Sequence, residues 1–252
     1  MPTVIPAVAD HVPPPSIVPA PRTALAQVPS PDLPLAGLTL LAVEDSRYAS
    51  DALRLMAQRS GARLRRAGTV AEAARHLRVY RPDAVLLDPG LPDGCGLDLL
   101  AASGVQGRGA PPVIVLSGDA GWREAALEAG AAAFLEKPLA GLPAFQSALL
   151  AVLPDRAWLA GLAPAQAALP PGDPLALCDD LAAAAGRLAA GPDDRARRYV
   201  AGFLGGLARA TGDAVLAHAV ADLPGQPQAV GAVAARLAER LAQARATGFA
   251  AR

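Results

Sequence analysis

The sequence predicts an α/β fold, a doubly wound parallel sheet of five strands, followed by a small all-α bundle. Two observations lead to this prediction. From residue 38 onwards, short apolar runs alternate with amphipathic stretches, which is the pattern of successive β-α-β units. From residue 175 onwards, the periodicity and the helix-end residues are all typical of helices.

The chain divides into four parts. Residues 1–36 contain ten prolines, which fix φ and remove amide donors, so we expect a disordered tail. Residues 37–153 carry the β/α alternation and form the first domain. Residues 154–174 are rich in proline, glycine and alanine, which favours a linker, and residues 175–252 are expected to form a helical C-terminal domain.

Four of the five predicted strands are short and mainly apolar, as expected for strands that are buried on both faces of a parallel sheet. The second strand has the weakest pattern. Right-handed crossovers place helices on both faces of the sheet, with the strand order 2-1-3-4-5. The strands are expected at residues 38–43, 63–66, 83–87, 112–116 and 132–135.

Helix ends are marked by residues suited to those positions. Ser46 can cap the first helix, and Gly61 ends it. Thr69–Glu72 is a capping box that opens the second helix, and Gly130 stops the fourth. Helices are expected at about residues 47–59, 69–80, 97–102, 122–129 and 143–153, then at 175–190, 193–210, 213–223 and 228–245.

The charge balance argues against a polyanionic partner. The chain has 23 basic and 23 acidic residues, and residues 175–252 contain 9 arginines against 7 acidic residues. This excess of two is too small for a surface that follows phosphates, so we do not expect nucleic acid as a partner.

The sequence gives no sign of export or membrane insertion. Its start has no basic region followed by a continuous apolar core, and no apolar run reaches the roughly 18 residues of a membrane helix. Cys95 and Cys178 lie outside any CxxC pattern and indicate neither a disulfide nor a metal site. We therefore expect a cytoplasmic protein with no membrane partner.

Polar residues follow four of the predicted strands where each strand ends. Glu44 and Asp45 follow the first strand, Asp88 the third, Ser117 the fourth and Lys137 the fifth. The carboxyl ends of parallel strands meet at one edge of an open sheet, which is where such folds bind ligands. We therefore expect these side chains to converge.

Three converging carboxylates would repel one another unless a cation lay among them. Mg²⁺ suits such a site, because it binds through carboxylates, waters and phosphate oxygens. Asp88 could then act as a nucleophile toward a phosphoryl group, forming an acyl phosphate. The Ser117 hydroxyl and the Lys137 ammonium would share the phosphoryl oxygens with the metal.

Lys137 is the only lysine in the chain; the other 22 basic residues are arginine. An ammonium is a compact point charge on a flexible stem, whereas a guanidinium is a broad planar fork. A lysine at this strand end therefore indicates a role that arginine does not fill.

Four motifs resemble the receiver domain of two-component response regulators. They are Val-Glu-Asp-Ser at 43–46, Leu-Leu-Asp-Pro-Gly-Leu-Pro-Asp-Gly at 86–94, Leu-Ser-Gly at 116–118 and Phe-Leu-Glu-Lys-Pro at 134–138. The resemblance covers about residues 38–153, in the family's order and spacing. It implies a flavodoxin-like sheet and no enzyme activity beyond assisting the domain's own phosphorylation and dephosphorylation.

The resemblance also implies roles for individual residues. Asp88 would be the phosphoacceptor, and Glu44 and Asp45 would organise Mg²⁺, with the backbone carbonyl of Gly90 as a further ligand. Ser117 would be the hydroxyl that moves toward the phosphoryl group, paired with Lys137. The list of expected site residues is completed by the switch aromatic, Phe134.

A sensor histidine kinase or a phosphotransfer protein is the expected phosphodonor. The C-terminal helices would respond to phosphorylation by forming a homodimer or by docking onto a partner. Two alternatives remain open: a phosphate-independent adaptor that keeps the fold as a scaffold, and a transcriptional regulator whose C-terminal helices bind DNA. A hydrolase with an aspartyl nucleophile is disfavoured, because Gly90 stands where a general acid would be needed.

Overall fold

The computed structural model describes residues 29–101, 109–159 and 172–250. Most of the predicted N-terminal tail, residues 1–28, and most of the predicted linker, residues 160–171, therefore lie outside the described part of the chain.

Within the described residues, five parallel strands form one sheet with the order β2-β1-β3-β6-β7. Numbered among themselves, these strands have the predicted order 2-1-3-4-5. A short antiparallel pair, β4 and β5, lies in the loop after β3 and was not predicted. The strands are β1 (Thr39–Val43), β2 (Arg63–Ala67), β3 (Ala84–Leu87), β4 (Gly90–Leu91), β5 (Gly94–Cys95), β6 (Val113–Ser117) and β7 (Ala133–Glu136).

The helices lie close to their predicted positions. Helix α1 has the predicted bounds, whereas α9 extends beyond the predicted end at residue 245. A 3-10 helix, Pro154–Leu159, follows α5. The α-helices are α1 (Arg47–Arg59), α2 (Val70–Val79), α3 (Asp98–Ala101), α4 (Trp122–Glu128), α5 (Leu142–Val152), α6 (Pro174–Ala189), α7 (Asp194–Thr211), α8 (Ala214–Ala221) and α9 (Ala229–Ala250).

The central strands of the sheet, β1, β3 and β6, are buried on both faces. Successive residues of a strand point to opposite faces, so Leu40 packs with the apolar residues of α1 and α5, whereas Leu41 packs with those of α2, α3 and α4. Leu86 and Leu87 divide between the two faces in the same way. This arrangement explains why the central strands are continuous apolar runs, whereas the edge strand β2 contains three arginines and is largely exposed.

The predicted caps of α1 and α2 are confirmed. The Ser46 hydroxyl accepts a hydrogen bond from the Ala49 amide at 3.0 Å, and the Thr69 hydroxyl accepts one from the Glu72 amide at 3.0 Å. Gly61 has a φ of +84°, which an L-residue rarely adopts, and it turns the chain out of α1 into β2.

The N-terminal boundary of the first domain lies before the predicted residue 37. Leu35 is fully buried in the core beside α1, and its amide donates to the Ser60 carbonyl at 2.9 Å. The Arg156 guanidinium donates to the carbonyl of Ala36 at 3.0 Å. The predicted tail of residues 1–36 is thus too long, because its last residues pack into the domain.

Helices α6 to α9 form the predicted C-terminal bundle around their own apolar core. Among the described residues, this core is supplied by the bundle helices and by Leu223, just after α8, with Leu204 and Leu237 fully buried. Helices α6 and α7 also pack against α1 of the first domain. None of the described helices is both long enough and apolar enough to cross a lipid bilayer.

Candidate functional site

The carboxyl edge of the sheet brings together three of the predicted site residues. The Lys137 ammonium, just after β7, donates to Glu44 Oε2 after β1 and to Asp88 Oδ2 after β3. All three side chains are largely buried, with exposures of 16% for Lys137, 4% for Glu44 and 19% for Asp88. A single cation therefore links the ends of strands β1 and β3.

The charges in this cluster perturb one another. Burial raises the pKa of Glu44 to about 7. The positive charge of Lys137 lowers this pKa, whereas the negative charges of Asp88 and Asp45 raise it further. Burial alone would lower the pKa of Lys137, but Glu44 and Asp88 outweigh it and raise that pKa above its ordinary value. Lys137 therefore stays charged, and its ammonium compensates carboxylates that would otherwise repel each other.

Asp45 has a partner from the C-terminal bundle. The Tyr199 hydroxyl of α7 donates to Asp45 Oδ2. Burial raises the pKa of Asp45 to about 6, while the Tyr199 hydrogen bond opposes that rise. The pKa of Tyr199 is itself raised by burial and by the Asp45 carboxylate, so the phenol keeps its proton and acts as the donor.

Arg66 at the end of β2 fixes the backbone of the acidic pair. Its guanidinium donates to the carbonyl of Glu44 at 3.2 Å and to that of Asp45 at 2.7 Å. The parallel register pairs Arg66 with Ala42, which places its side chain beside the turn after β1. Sequence analysis missed this residue, although an arginine at a strand end next to an acidic pair is a usable signal.

The loop that carries Asp88 is shaped by glycines. Asp88 Oδ1 accepts a hydrogen bond from the Gly90 amide at 2.7 Å, and Gly90 pairs with Cys95 in the short hairpin. A Cβ built on Gly96 would overlap the Asp88 carbonyl oxygen, so the chain can pass here only without a side chain.

Ser117 and Phe134 lie at the expected strand positions. Ser117 is buried, and its hydroxyl accepts a hydrogen bond from the Asp119 amide at 3.1 Å, within its own loop. Phe134 is buried in the apolar layer beneath α4, and the Arg123 guanidinium lies 4.7 Å from its ring centroid. The aromatic ring is therefore turned inward in this structure.

The residues of the predicted magnesium site have suitable chemistry but are engaged elsewhere. Across the described residues, no group of three or more His, Cys, Asp and Glu side chains is arranged to hold a metal ion. Glu44 and Asp88 share the Lys137 ammonium, and Asp45 accepts from Tyr199. Carboxylates and a backbone carbonyl are nevertheless the oxygen ligands that Mg²⁺ prefers.

The geometry agrees with a match in sequence. Residues 40–145 match the family model of the response regulator receiver domain. This segment is a receiver domain. It includes the site residues at the carboxyl ends of β1, β3, β6 and β7.

Curated relatives of the receiver domain are regulatory proteins. The chain is 37% identical over 116 residues to the transcriptional regulatory protein KdpE of Mycobacterium tuberculosis, which is 45% of this chain and 50% of that protein. It is 34% identical over 116 residues, again 45% and 50%, to the KDP operon transcriptional regulatory protein KdpE of Escherichia coli. The chain thus spans about half the length of the curated relatives it matches.

A solved structure is also similar to the receiver domain. The receiver domain of the sensor histidine kinase PA1611 from Pseudomonas aeruginosa, with a magnesium ion in its active site cleft, is 27% identical with a TM-score of 0.43. The match covers 47% of this chain and 99% of that one. The C-terminal bundle lies beyond residue 145, where the family model ends.

Proposed function

We propose that the receiver domain accepts a phosphoryl group on Asp88 in a Mg²⁺-dependent reaction and thereby switches a protein–protein or dimer interface. The observation that carries this proposal is the bridging of Glu44 and Asp88 by the Lys137 ammonium at the carboxyl edge of the sheet. A sensor histidine kinase or a phosphotransfer protein is the proposed donor.

The proposed phosphoryl transfer forms one bond to phosphorus and breaks one. An Asp88 carboxylate oxygen attacks the phosphorus of a phosphohistidine, an O–P bond forms, and the N–P bond to the imidazole breaks. The imidazole nitrogen keeps the electron pair and takes up a proton. Lys137, already in contact with Asp88, neutralises a phosphoryl oxygen, and the Ser117 hydroxyl donates to another after leaving Asp119.

Glu44, Asp45, Asp88 and the Gly90 carbonyl would hold the magnesium ion. The bound ion supplies positive charge that offsets the carboxylates and the incoming phosphoryl oxygens. The protein's part is to present these oxygens together, which Arg66 supports by fixing the backbone of Glu44 and Asp45.

A mass measurement tests this proposal. Incubation of the full chain with Mg²⁺ and acetyl phosphate or phosphoramidate is expected to add one phosphoryl group in the wild type and none in Asp88→Asn. Asp98→Asn is the matched control, because Asp98 is an exposed carboxylate ten residues along the chain at the start of α3. No adduct in the wild type, or an adduct that persists in Asp88→Asn, would overturn the proposal.

A DNA-binding output is a second candidate, favoured by the regulatory names of the two curated relatives. The small excess of positive charge in residues 175–252, with 9 arginines and 7 acidic residues, argues against this candidate. A salt-dependent mobility shift of DNA by the full phosphorylated chain would support this candidate. An adaptor that needs no phosphate would instead bind its partner equally well as Asp88→Asn.

A further inference from the structure

The α6–α7 face of the C-terminal bundle lies over the mouth of the phosphorylation site. Its most direct contact is the hydrogen bond from Tyr199 to Asp45, one of the proposed metal ligands. Tyr199 thus engages one oxygen of a carboxylate that is proposed to hold the ion. The hydrogen bond and a bound ion would therefore compete for the same carboxylate.

A second contact holds the start of α1. The Asp180 carboxylate of α6 accepts from the Ser46 hydroxyl at 2.8 Å and from the amides of Arg47 and Tyr48 at 3.0 Å each. Asp180 is only 3% exposed, so its carboxylate is shielded from water, and its bond with the Ser46 hydroxyl is buried. The first amides of a helix have no hydrogen-bond acceptor within the helix. Here the Asp180 carboxylate, from the other domain, is the acceptor for two of them.

A third contact covers the loop after β6. A Cβ built on Gly118, the residue after Ser117, would overlap the Arg209 guanidinium of α7. Arg209 thus lies directly against the loop whose hydroxyl is proposed to move toward the phosphoryl group. The contacts at Asp45, Ser46 and Gly118 thus lie where β1 and β6 end, at the same edge of the sheet as Asp88.

The interface between the bundle and the receiver domain has features that favour separation of the two. The bundle has its own buried core, against which the receiver domain packs the partly buried Tyr48 of α1. Its contacts with the site are mainly polar, and a cavity of about 390 Å³ remains between Asp45, Thr69 and Phe203. The Arg47–Asp179 ion pair at the rim is exposed on both sides and contributes little.

We propose that the α6–α7 face is an interaction surface whose partner is the receiver domain of the same chain in its metal-free, unphosphorylated state. Tyr199 and the magnesium ion compete for Asp45, so metal binding releases the bundle, and release of the bundle favours metal binding. This reciprocity is required by thermodynamic linkage. The inference rests on the proposed function and names how access to the same site is regulated.

Hydrogen exchange of the full chain tests the inference without reference to phosphorylation. In the closed form, the amides of Arg47 and Tyr48 are bonded to Asp180, whereas the Ala49 amide is bonded to Ser46 within the receiver domain. Saturating Mg²⁺, alone or with beryllofluoride, is expected to speed exchange at residues 47 and 48 by about fivefold or more. The Ala49 amide is the internal reference and is expected to stay protected.

Variants test the same coupling from the other side. Tyr199→Phe and Asp180→Ala are each expected to tighten Mg²⁺ binding about fivefold, measured by calorimetric titration. Tyr80→Phe is the matched control, because it also removes a phenolic hydroxyl but lies at the end of α2, outside the covered site. Both variants are also expected to show fast exchange at residues 47 and 48 before metal is added.

Two results would overturn the inference. One is slow exchange at residues 47 and 48 in the wild type at saturating metal; the other is unchanged metal affinity in both variants. If the wild type still forms the Asp88 adduct in either case, the proposed function stands and only the covering role fails. If the wild type neither binds metal nor forms the adduct, the proposed function fails as well.

Discussion

The Tyr199 hydroxyl donates a hydrogen bond to the Asp45 carboxylate, although 154 positions of sequence separate the two residues. The donor belongs to the C-terminal bundle and the acceptor to the acidic pair after β1. Four features of the receiver domain and the bundle give testable expectations beyond this contact.

Lys137→Arg is expected to slow phosphorylation of Asp88 by about tenfold or more. A planar guanidinium does not place one compact charge against both Glu44 and Asp88, as the ammonium does. The rate is measured from the intact mass at successive times with a small phosphodonor. Arg54→Lys is the control, because it exchanges the same two residue types at an exposed position. Equal phosphorylation rates for Lys137→Arg and the wild type would contradict this expectation.

Gly96→Ala is expected to lower the free energy of unfolding of the receiver domain by about 2 kcal/mol. The added methyl group would overlap the Asp88 carbonyl oxygen, which the backbone cannot relieve without moving the loop. Chemical denaturation measures the change. Gly94→Ala is the control in the same loop, because its methyl group would lie an ordinary 3.8 Å from Val70. Similar losses in both variants would refute the steric explanation.

Leu35→Ala is expected to cost about 2–5 kcal/mol of unfolding free energy, as for other fully buried leucines. The loss would show that the receiver domain begins before residue 37. Denaturation midpoints of the full chain provide the measurement. Val79→Ala, at a side chain that is 78% exposed, is expected to change stability by less than about 0.5 kcal/mol. If Leu35→Ala matched this control, the earlier boundary would be wrong.

Asp213→Asn is expected to destabilise the bundle by about 1 kcal/mol at neutral pH, because asparagine keeps the cap of α8 but loses the charge that pairs with Arg240. Asp213 caps α8 by accepting from the Leu216 amide at 2.9 Å and forms an ion pair with Arg240 of α9 at 2.6 Å. Burial opposes ionisation of Asp213, but Arg240 and Leu216 outweigh it and hold the pKa below its ordinary value of 3.8.

This lowered pKa fixes the pH dependence. The stabilisation from Asp213 is complete above the unfolded-state value and is lost as the pH falls through the lower folded-state pKa. The difference between wild type and Asp213→Asn should therefore be constant from about pH 7 to about pH 5 and shrink below about pH 4. Urea denaturation at each pH tests this, and a difference that grows on acidification would rule the explanation out.

Local sequence signals were sufficient to predict the bounds of a helix where single residues mark its ends. Ser46 and Gly61 define α1, and its predicted bounds are confirmed. The β4–β5 hairpin was missed because Gly90 and Gly94 have no strand preference and pair only within the tight loop after Asp88. The position of Leu35 was missed because the surrounding prolines resemble a tail, whereas its burial depends on the distant α1 and α5.

The convergence of Glu44, Asp88 and Lys137 could be predicted because parallel strands end at one edge of the sheet. The contact of Tyr199 with Asp45 could not be predicted, since it depends on how two domains with separate apolar cores pack together. Periodicity reports the fold of α7 but not the neighbour of each of its side chains. The roles of Ser117, Phe134 and the metal ligands remain predictions.

Because the bundle and the site beneath it belong to one polypeptide, their encounter is intramolecular and its effective concentration is set by the tether. The fraction of molecules with a covered site would then be independent of how much of the protein a cell makes. Dilution would not open the site, and overproduction would not close it.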